Sequence, residues 1–399
     1  MKSLATIVQP SMLVVLVFLA GASAAGQELS RDRVLQELRS RAGFTEQEIE
    51  RLEKGETVIR ELERTVKREV AMIGAVKLGY SFELAKKGLD RTVDSQRRES
   101  AREYGEFSAA PRAEDMSGLV FDEGDLDDLR TCRVNDCKWN LSEEIIGTLK
   151  SEVDWNAADA PEKASAVLKR ELASYLRAYI ANGDGSLMVY RDTDLRVGLA
   201  DEYSDLLSEI PFIDGFAGRF ADHARSYPAA SPDGVSSVFN WSEVKVGLKP
   251  VVMITHTLAY EPGSEAMYSV SKQVFANHYF DSTLGITALF GFPGNGERPA
   301  SYLVFISRSR ASALRGRLGG LIRGLIEDQA EGKMEEFLED AKKYTALASA
   351  NVGSAEQREL LREAENAPFI GSRTFIILVV ASAAVLTALL FLLLRKRAS

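Results

Sequence analysis

Between residues 241 and 347 the polar and apolar positions switch from helical to extended spacing and back again. Residues 251–260 are β-branched and aromatic, as strands prefer. One alternate set holds Val252, Ile254, His256, Leu258 and Tyr260; the other holds Val251, Met253, Thr255, Thr257 and Ala259. Both sets are partly apolar. That predicts a sheet covered on one side, with an apolar body or a cavity on the other. Further strands are predicted near 267–276, 283–292 and 302–307, and Phe292-Pro-Gly-Asn-Gly296 supplies turn residues after the third. Short links between successive strands predict an antiparallel meander.

A helix follows, reaching about Leu347, with Leu314, Leu318, Leu321, Ile322, Leu325 and Ile326 in its first half. Gly316, Gly320 and Gly324 share one of its faces. Each costs about 1 kcal/mol against alanine. The two readings are close approach by a backbone, sheet or ligand, and a kinked helix.

The chain before residue 240 reads as mainly helical. Thr45-Glu-Gln-Glu48 has the form of a capping box and predicts a helix carrying Ile49 and Leu52. From Glu61, the set Leu62, Val66, Val70 and Ile73 steps by three or four, the period of one helical face. Residues 69–80 are apolar enough for a strand as well, and the pattern leaves that open. The acidic run Asp122-Glu-Gly-Asp-Leu-Asp-Asp128 lacks the calcium-loop spacing, and a helix start near Asp125 explains it. Ser142-Glu-Glu-Ile145 begins a short helix and Ala160-Pro161 opens a longer one. Asn182-Gly183-Asp184-Gly185 stops the latter. Another helix is predicted over 202–210, followed by a stretch punctuated by Pro and Gly up to Gly234.

Length and charge narrow the class. The 399 residues leave room for one large or two modest domains, and 45% hydrophobic content suffices for a core. A net charge of −9 argues against nucleic acid as the main partner.

The two ends add topology. Lys2, the apolar stretch from Met12 to Ala20 and Ala22-Ser23-Ala24 predict a signal peptide over 1–25. Residues 375–394 are twenty positions without a charge, enough to cross a bilayer as a helix. Arg395-Lys396-Arg397 follow, which predicts a cytoplasmic tail over 395–399. The body would then lie outside the cytoplasm, periplasmic or at the cell surface. It divides into a mainly helical part (26–240), a sheet and long helix (241–347) and a polar spacer (348–374). In that compartment Cys132 and Cys137, five positions apart, suit a disulfide-closed loop. No metal set surrounds them.

Catalytic motifs are missing. The chain has no Gly-x-Ser-x-Gly elbow, no phosphate loop and no His-Glu-x-x-His. His256 and His278 are two of only three histidines, and with Asp281 they compose an acid–base group without a nucleophile. No catalytic residue, metal ligand or cofactor is therefore assigned.

Gly55-Glu56, Cys132-Arg-Val-Asn-Asp-Cys137, Asp154-Trp155, Lys249-Pro250 and Asn277-His278-Tyr279-Phe280-Asp281 together resemble a family of uncharacterised exported, membrane-anchored bacterial proteins. That resemblance implies no functional residues. The meander, then Tyr302-Leu-Val-Phe-Ile-Ser-Arg-Ser-Arg310, then a helix with Leu318-Gly-Gly-Leu321, is similar to START-like helix-grip lipid-binding domains. This second resemblance implies a curved sheet around a C-terminal helix with an apolar cavity between them.

The expectation is an α+β extracytoplasmic domain, held to the lipid bilayer by its C-terminal helix, that binds an apolar or amphiphilic ligand. Expected lining residues are Ile254, His256, Leu258, Tyr260, Ile286, Leu289, Tyr302, Val304 and Leu321. The alternatives are an envelope assembly protein and a hydrolase using His256, His278 and Asp281.

Overall fold

The computed structural model describes residues 29–350 except 210, 230, 247–248, 295–297 and 316–318. The predicted signal peptide, the membrane span over 375–394 and the basic tail lie outside the described residues. Among those described, no helix is long and apolar enough to cross a membrane.

The anticipated meander forms. It comprises β7 (Lys249–Tyr260), β8 (Ala266–Ala276), β9 (Ser282–Phe292) and β10 (Ala300–Arg310). Before it runs β6 (Val235–Val246), which passes through the 240/241 boundary expected from sequence. The part expected to be helical also supplies β1 (Val58–Glu61), β2 (Glu69–Leu78) and β3 (Ala101–Glu106). Together they make one eight-stranded sheet in the order β1-β2-β10-β9-β8-β7-β6-β3. Every neighbouring pair is antiparallel.

The helical period over Leu62 to Ile73 therefore misleads. β2 lies between β1 and β10 with apolar side chains buried on both faces, Val70, Met72 and Val76 on one and Ile73 and Ala75 on the other. A strand buried on both sides reads as a continuous apolar run, which does not exclude helical spacing.

Helices cover both faces. On one lie α1 (Arg31–Ser40), α2 (Glu46–Glu53), α4 (Glu123–Thr131), α5 (Glu143–Glu152), α6 (Ala160–Asn182), α7 (Leu199–Ser208) and α8 (Pro211–Arg225). On the other lie α3 (Phe82–Ser100) and α9 (Gly319–Ser349). A small hairpin, β4 (Val189–Tyr190) with β5 (Val197–Gly198), links α6 to α7.

The helix starts are where the capping residues fall. Thr45 and Glu48 close a full capping box, and Ser142 caps α5. For α4 the cap is Asp122, which accepts from the Asp125 amide, and Asp125 itself sits inside the first turn. Gly183 ends α6 at φ 72°, a left-handed conformation that favours glycine. Cys132 and Cys137 form the expected disulfide beyond α4.

On the α3/α9 side, Phe305 packs on Phe337 at 5.2 Å, and Met334 and Leu338 lie over Gly74 of β2. The close helix approach uses Gly88 of α3 against Thr345 of α9. Of the three glycines singled out in the sequence, Gly316 lies outside the described residues and Gly324 of α9 has open space where a Cβ would stand.

Candidate functional site

Side chains from neighbouring strands line up on the sheet face toward α3 and α9. Around the rim of this face lie Val251, Met253, Met267, Leu289, Leu303 and Phe305, all buried and apolar. Its centre is polar. Asn240, Thr255, Thr257, Ser269, Ser271, Gln273, Thr283 and Thr287 are each no more than 3% exposed. Cross-strand register groups them: Asn240 opposite Thr255, Thr255 opposite Gln273, Thr257 opposite Ser271, Ser269 opposite Thr287. A bulge in β8 places both Val274 and Phe275 opposite Ile254 and so returns Gln273 to the polar face.

Most of these strands' backbone groups are used in the ladder, so the side chains must find their own partners. Thr257 and Ser271 satisfy each other at 2.9 Å. The Oε1 and Nε2 of Gln273, Oγ1 of Thr283 and of Thr287, Oδ1 of Asn240 and Oγ of Ser309 are buried with no hydrogen-bond partner among the described residues. On α9, Gln329 shares the helix face of Ile326 and Phe337, and its Oε1 is unpaired as well. Native proteins pair nearly all such atoms, with protein, water or ligand.

The opposite face is packed, and most of its buried polar groups are paired; Trp139 Nε1 and Arg308 Nε have no hydrogen-bond partner among the described residues. Ile254, Leu258, Ile286, Tyr302 and Val304 lie there in the core under the helices, with His256 and Tyr260. Beside Ile286 is a void of about 10 Å³, room for at most one water. Seven of the nine anticipated lining residues thus face away from α9. Only Leu289 is on the α3/α9 side, and the Leu321 side chain lies outside the described part of the structure. The alternate set of each strand is the one that borders α9.

His256 is completely buried. Its ring stacks on Phe239 at 4.3 Å and meets Tyr227 at 4.5 Å. Nδ1 is 2.9 Å from the Tyr179 hydroxyl and Nε2 2.9 Å from Ser237 Oγ. Burial, then the Lys272 ammonium and His223, hold the ring well below its ordinary pKa, so it is neutral. Tyr179 has no other acceptor among the described residues; it donates to Nδ1, and Nε2–H donates to Ser237. In that tautomer the ring cannot take the Ser237 proton. Among the described residues no carboxylate accepts from this ring, so the serine–histidine contact lacks the third member of a catalytic triad.

His278 and Asp281 lie elsewhere. His278 offers Nδ1 to the Lys138 carbonyl at 2.9 Å and Nε2 to Asp125 at 3.1 Å. Asp125 also meets Lys249 at 3.3 Å. Asp281 binds Arg68 at 2.9 Å, Arg315 at 3.0 Å and the Ser312 hydroxyl. The three candidates for acid–base chemistry share no partner.

At the end of the sheet, Arg310 and Arg308 are buried with Glu69, and Arg310 also holds Glu202 at 3.0 Å. Burial raises the Glu202 carboxyl, but Arg68 and Arg310 outweigh it and hold the group below its usual range. Lys272 pairs with Asp184 at 3.0 Å; burial still draws its ammonium below the ordinary value. No group of His, Cys, Asp and Glu suited to a metal occurs among the described residues.

No family model, curated protein or solved structure matches the chain.

Proposed function

We propose that the protein is a membrane-tethered extracytoplasmic module that binds an amphiphilic, lipid-like ligand against the α3/α9 face of its sheet. The observation that carries this is the set of unpaired buried polar atoms, centred on Gln273, Thr283 and Thr287, inside an apolar rim. Each such atom costs about 1–3 kcal/mol if nothing satisfies it. Six on the sheet together cost on the order of 6–18 kcal/mol, as much as the net stability of a domain. A polar head meeting these atoms, with an apolar body against Met253, Met267 and Leu289, would remove that cost. Methionines on the rim adapt to irregular shapes.

The sequence features of the two ends support the setting: a signal peptide, then an uncharged stretch over 375–394 that would hold a carrier beside its cargo. The order of meander and long helix, similar to helix-grip domains, supports the same reading.

The test is native mass spectrometry and organic extraction of the full chain purified from membranes, with Gln273→Leu in parallel. A co-purifying amphiphile in the wild type, lost in the variant, is expected. An equal amphiphile content in both would overturn the assignment of this face. No bound amphiphile in either would overturn the function.

A further inference from the structure

The polar floor is uncharged, and this limits what it can hold. The strands that build it do carry charges, but on the other face. Lys272 reaches Asp184, and Arg308 and Arg310 reach Glu69 and Glu202. What remains on the α3/α9 side is hydroxyl and amide chemistry. An anionic head buried there would meet at most neutral donors, and a buried anion without a cation is strongly disfavoured. Phosphate and carboxylate sites characteristically use arginine for this reason.

Among the described residues, no cation of the surrounding elements contacts the unpaired floor atoms. Arg97 of α3 is paired with Asp94 at 3.0 Å and lies over the Tyr104 ring at 5.0 Å. One of its nitrogens is unpaired, as is one of Arg91. Against these two cations stand Asp90, Asp94 and, on the edge strand opposite Asn240, Glu106. Burial, with Asp94 and Glu261 adding to it and Lys86 opposing, raises the Asp90 carboxyl to about 6, so this flank already disfavours negative charge. Arg323 of α9 donates to the Glu69 carbonyl at 2.6 Å and meets Glu327 at 3.6 Å.

We infer that the ligand's polar head is uncharged and carries both hydrogen-bond donors and acceptors, as hydroxyl- or amide-bearing amphiphiles do. Gln273 sets the pattern, since one side chain presents an unpaired carbonyl beside an unpaired NH₂. Thr283 and Thr287 add hydroxyls that either donate or accept. This inference rests on the binding function proposed above.

The experiment compares three single-chain amphiphiles of equal acyl length with the full chain in lipid nanodiscs. They are monolauroylglycerol, laurate and dodecylamine, each measured by thermal shift and titration calorimetry against empty discs. Monolauroylglycerol should bind about tenfold or more tighter than either charged probe, a difference of about 1.4 kcal/mol or more. Thr283→Val/Thr287→Val should lose that preference. Tighter binding of laurate or dodecylamine would overturn the uncharged head while leaving the binding function standing. Binding by none of the three would overturn both.

Discussion

On the face toward α6, α7 and α8, most buried polar groups are matched one to another, Trp139 Nε1 and Arg308 Nε being exceptions: His256 with Tyr179 and Ser237, Lys272 with Asp184, Arg310 with Glu69 and Glu202. On the face toward α3 and α9, separated from the first by one strand thickness, the side chains of Gln273, Thr283 and Thr287 have no hydrogen-bond partner among the described residues. The same strands build both. Successive residues point to opposite sides, so chemistry that stabilises the fold and chemistry that awaits a partner alternate along each strand. Charge marks the difference. It is spent on the first face in closed pairs and is missing from the centre of the second.

The largest effect expected from this comparison is on the paired face. Arg310→Met removes one buried partner from each of Glu69 and Glu202, leaving Arg308 on the first and Arg68 on the second. A loss of about 1.5–3 kcal/mol is expected in urea unfolding of the full chain. A loss below about 1 kcal/mol, the range of an exposed pair, would show that the network is solvated.

His256 gives the next. Its depressed folded pKa means that the unfolded chain takes up a proton near pH 6.5 while the folded chain does not. Stability is fully present above that pH and falls below it, by up to about 1.4 kcal/mol per pH unit. His256→Phe should flatten this component of the profile between pH 6.5 and 4.5, whatever its absolute stability. An unchanged slope would place the titration elsewhere.

Asp90 runs the opposite way. Its carboxyl is raised from 3.8 to about 6, so it favours the folded state when protonated, and that contribution is lost as pH rises from 3.8 through about 6. Asp90→Asn should therefore stabilise by on the order of 1–2 kcal/mol at pH 7.5 and by almost nothing at pH 3.5. Destabilisation at pH 7.5 would contradict the burial of this carboxyl. The smallest effect is at Ser237, an exposed residue whose half-buried hydroxyl receives the His256 N–H. Ser237→Ala should cost about 0.5–1 kcal/mol. It should leave the chain as unreactive toward a fluorophosphonate probe as the wild type.

Much of this plan was legible. The strands at 251–260, 267–276 and 283–292 declared themselves through β-branched and aromatic runs, and the caps at Thr45 and Ser142 through short polar signatures. β2 was not, because a strand buried on both faces loses the alternation that identifies it. The site was half visible. Thr255, Thr257, Ser269, Ser271 and Gln273 recur at every second position inside apolar strands, which marks a polar face. The more apolar set drew attention first, since periodicity separates the two faces of a strand but does not say which covering helix each one meets. The bulge at Val274 also shifts the alternation by one residue, and only the paired strand reveals it. His256 and His278 looked like chemistry because histidines are scarce here, yet each is held by local partners.

The most direct measurement is the unfolding free energy of Thr283→Val/Thr287→Val, taken on full chain stripped of bound amphiphile. If these hydroxyls await a ligand, replacing them with an apolar isostere removes two unpaired buried groups. The variant should then match or exceed the wild type by up to about 2 kcal/mol. A loss of about 1 kcal/mol per hydroxyl would mean that both are already satisfied within the fold, and would contradict the account of this face as a binding floor.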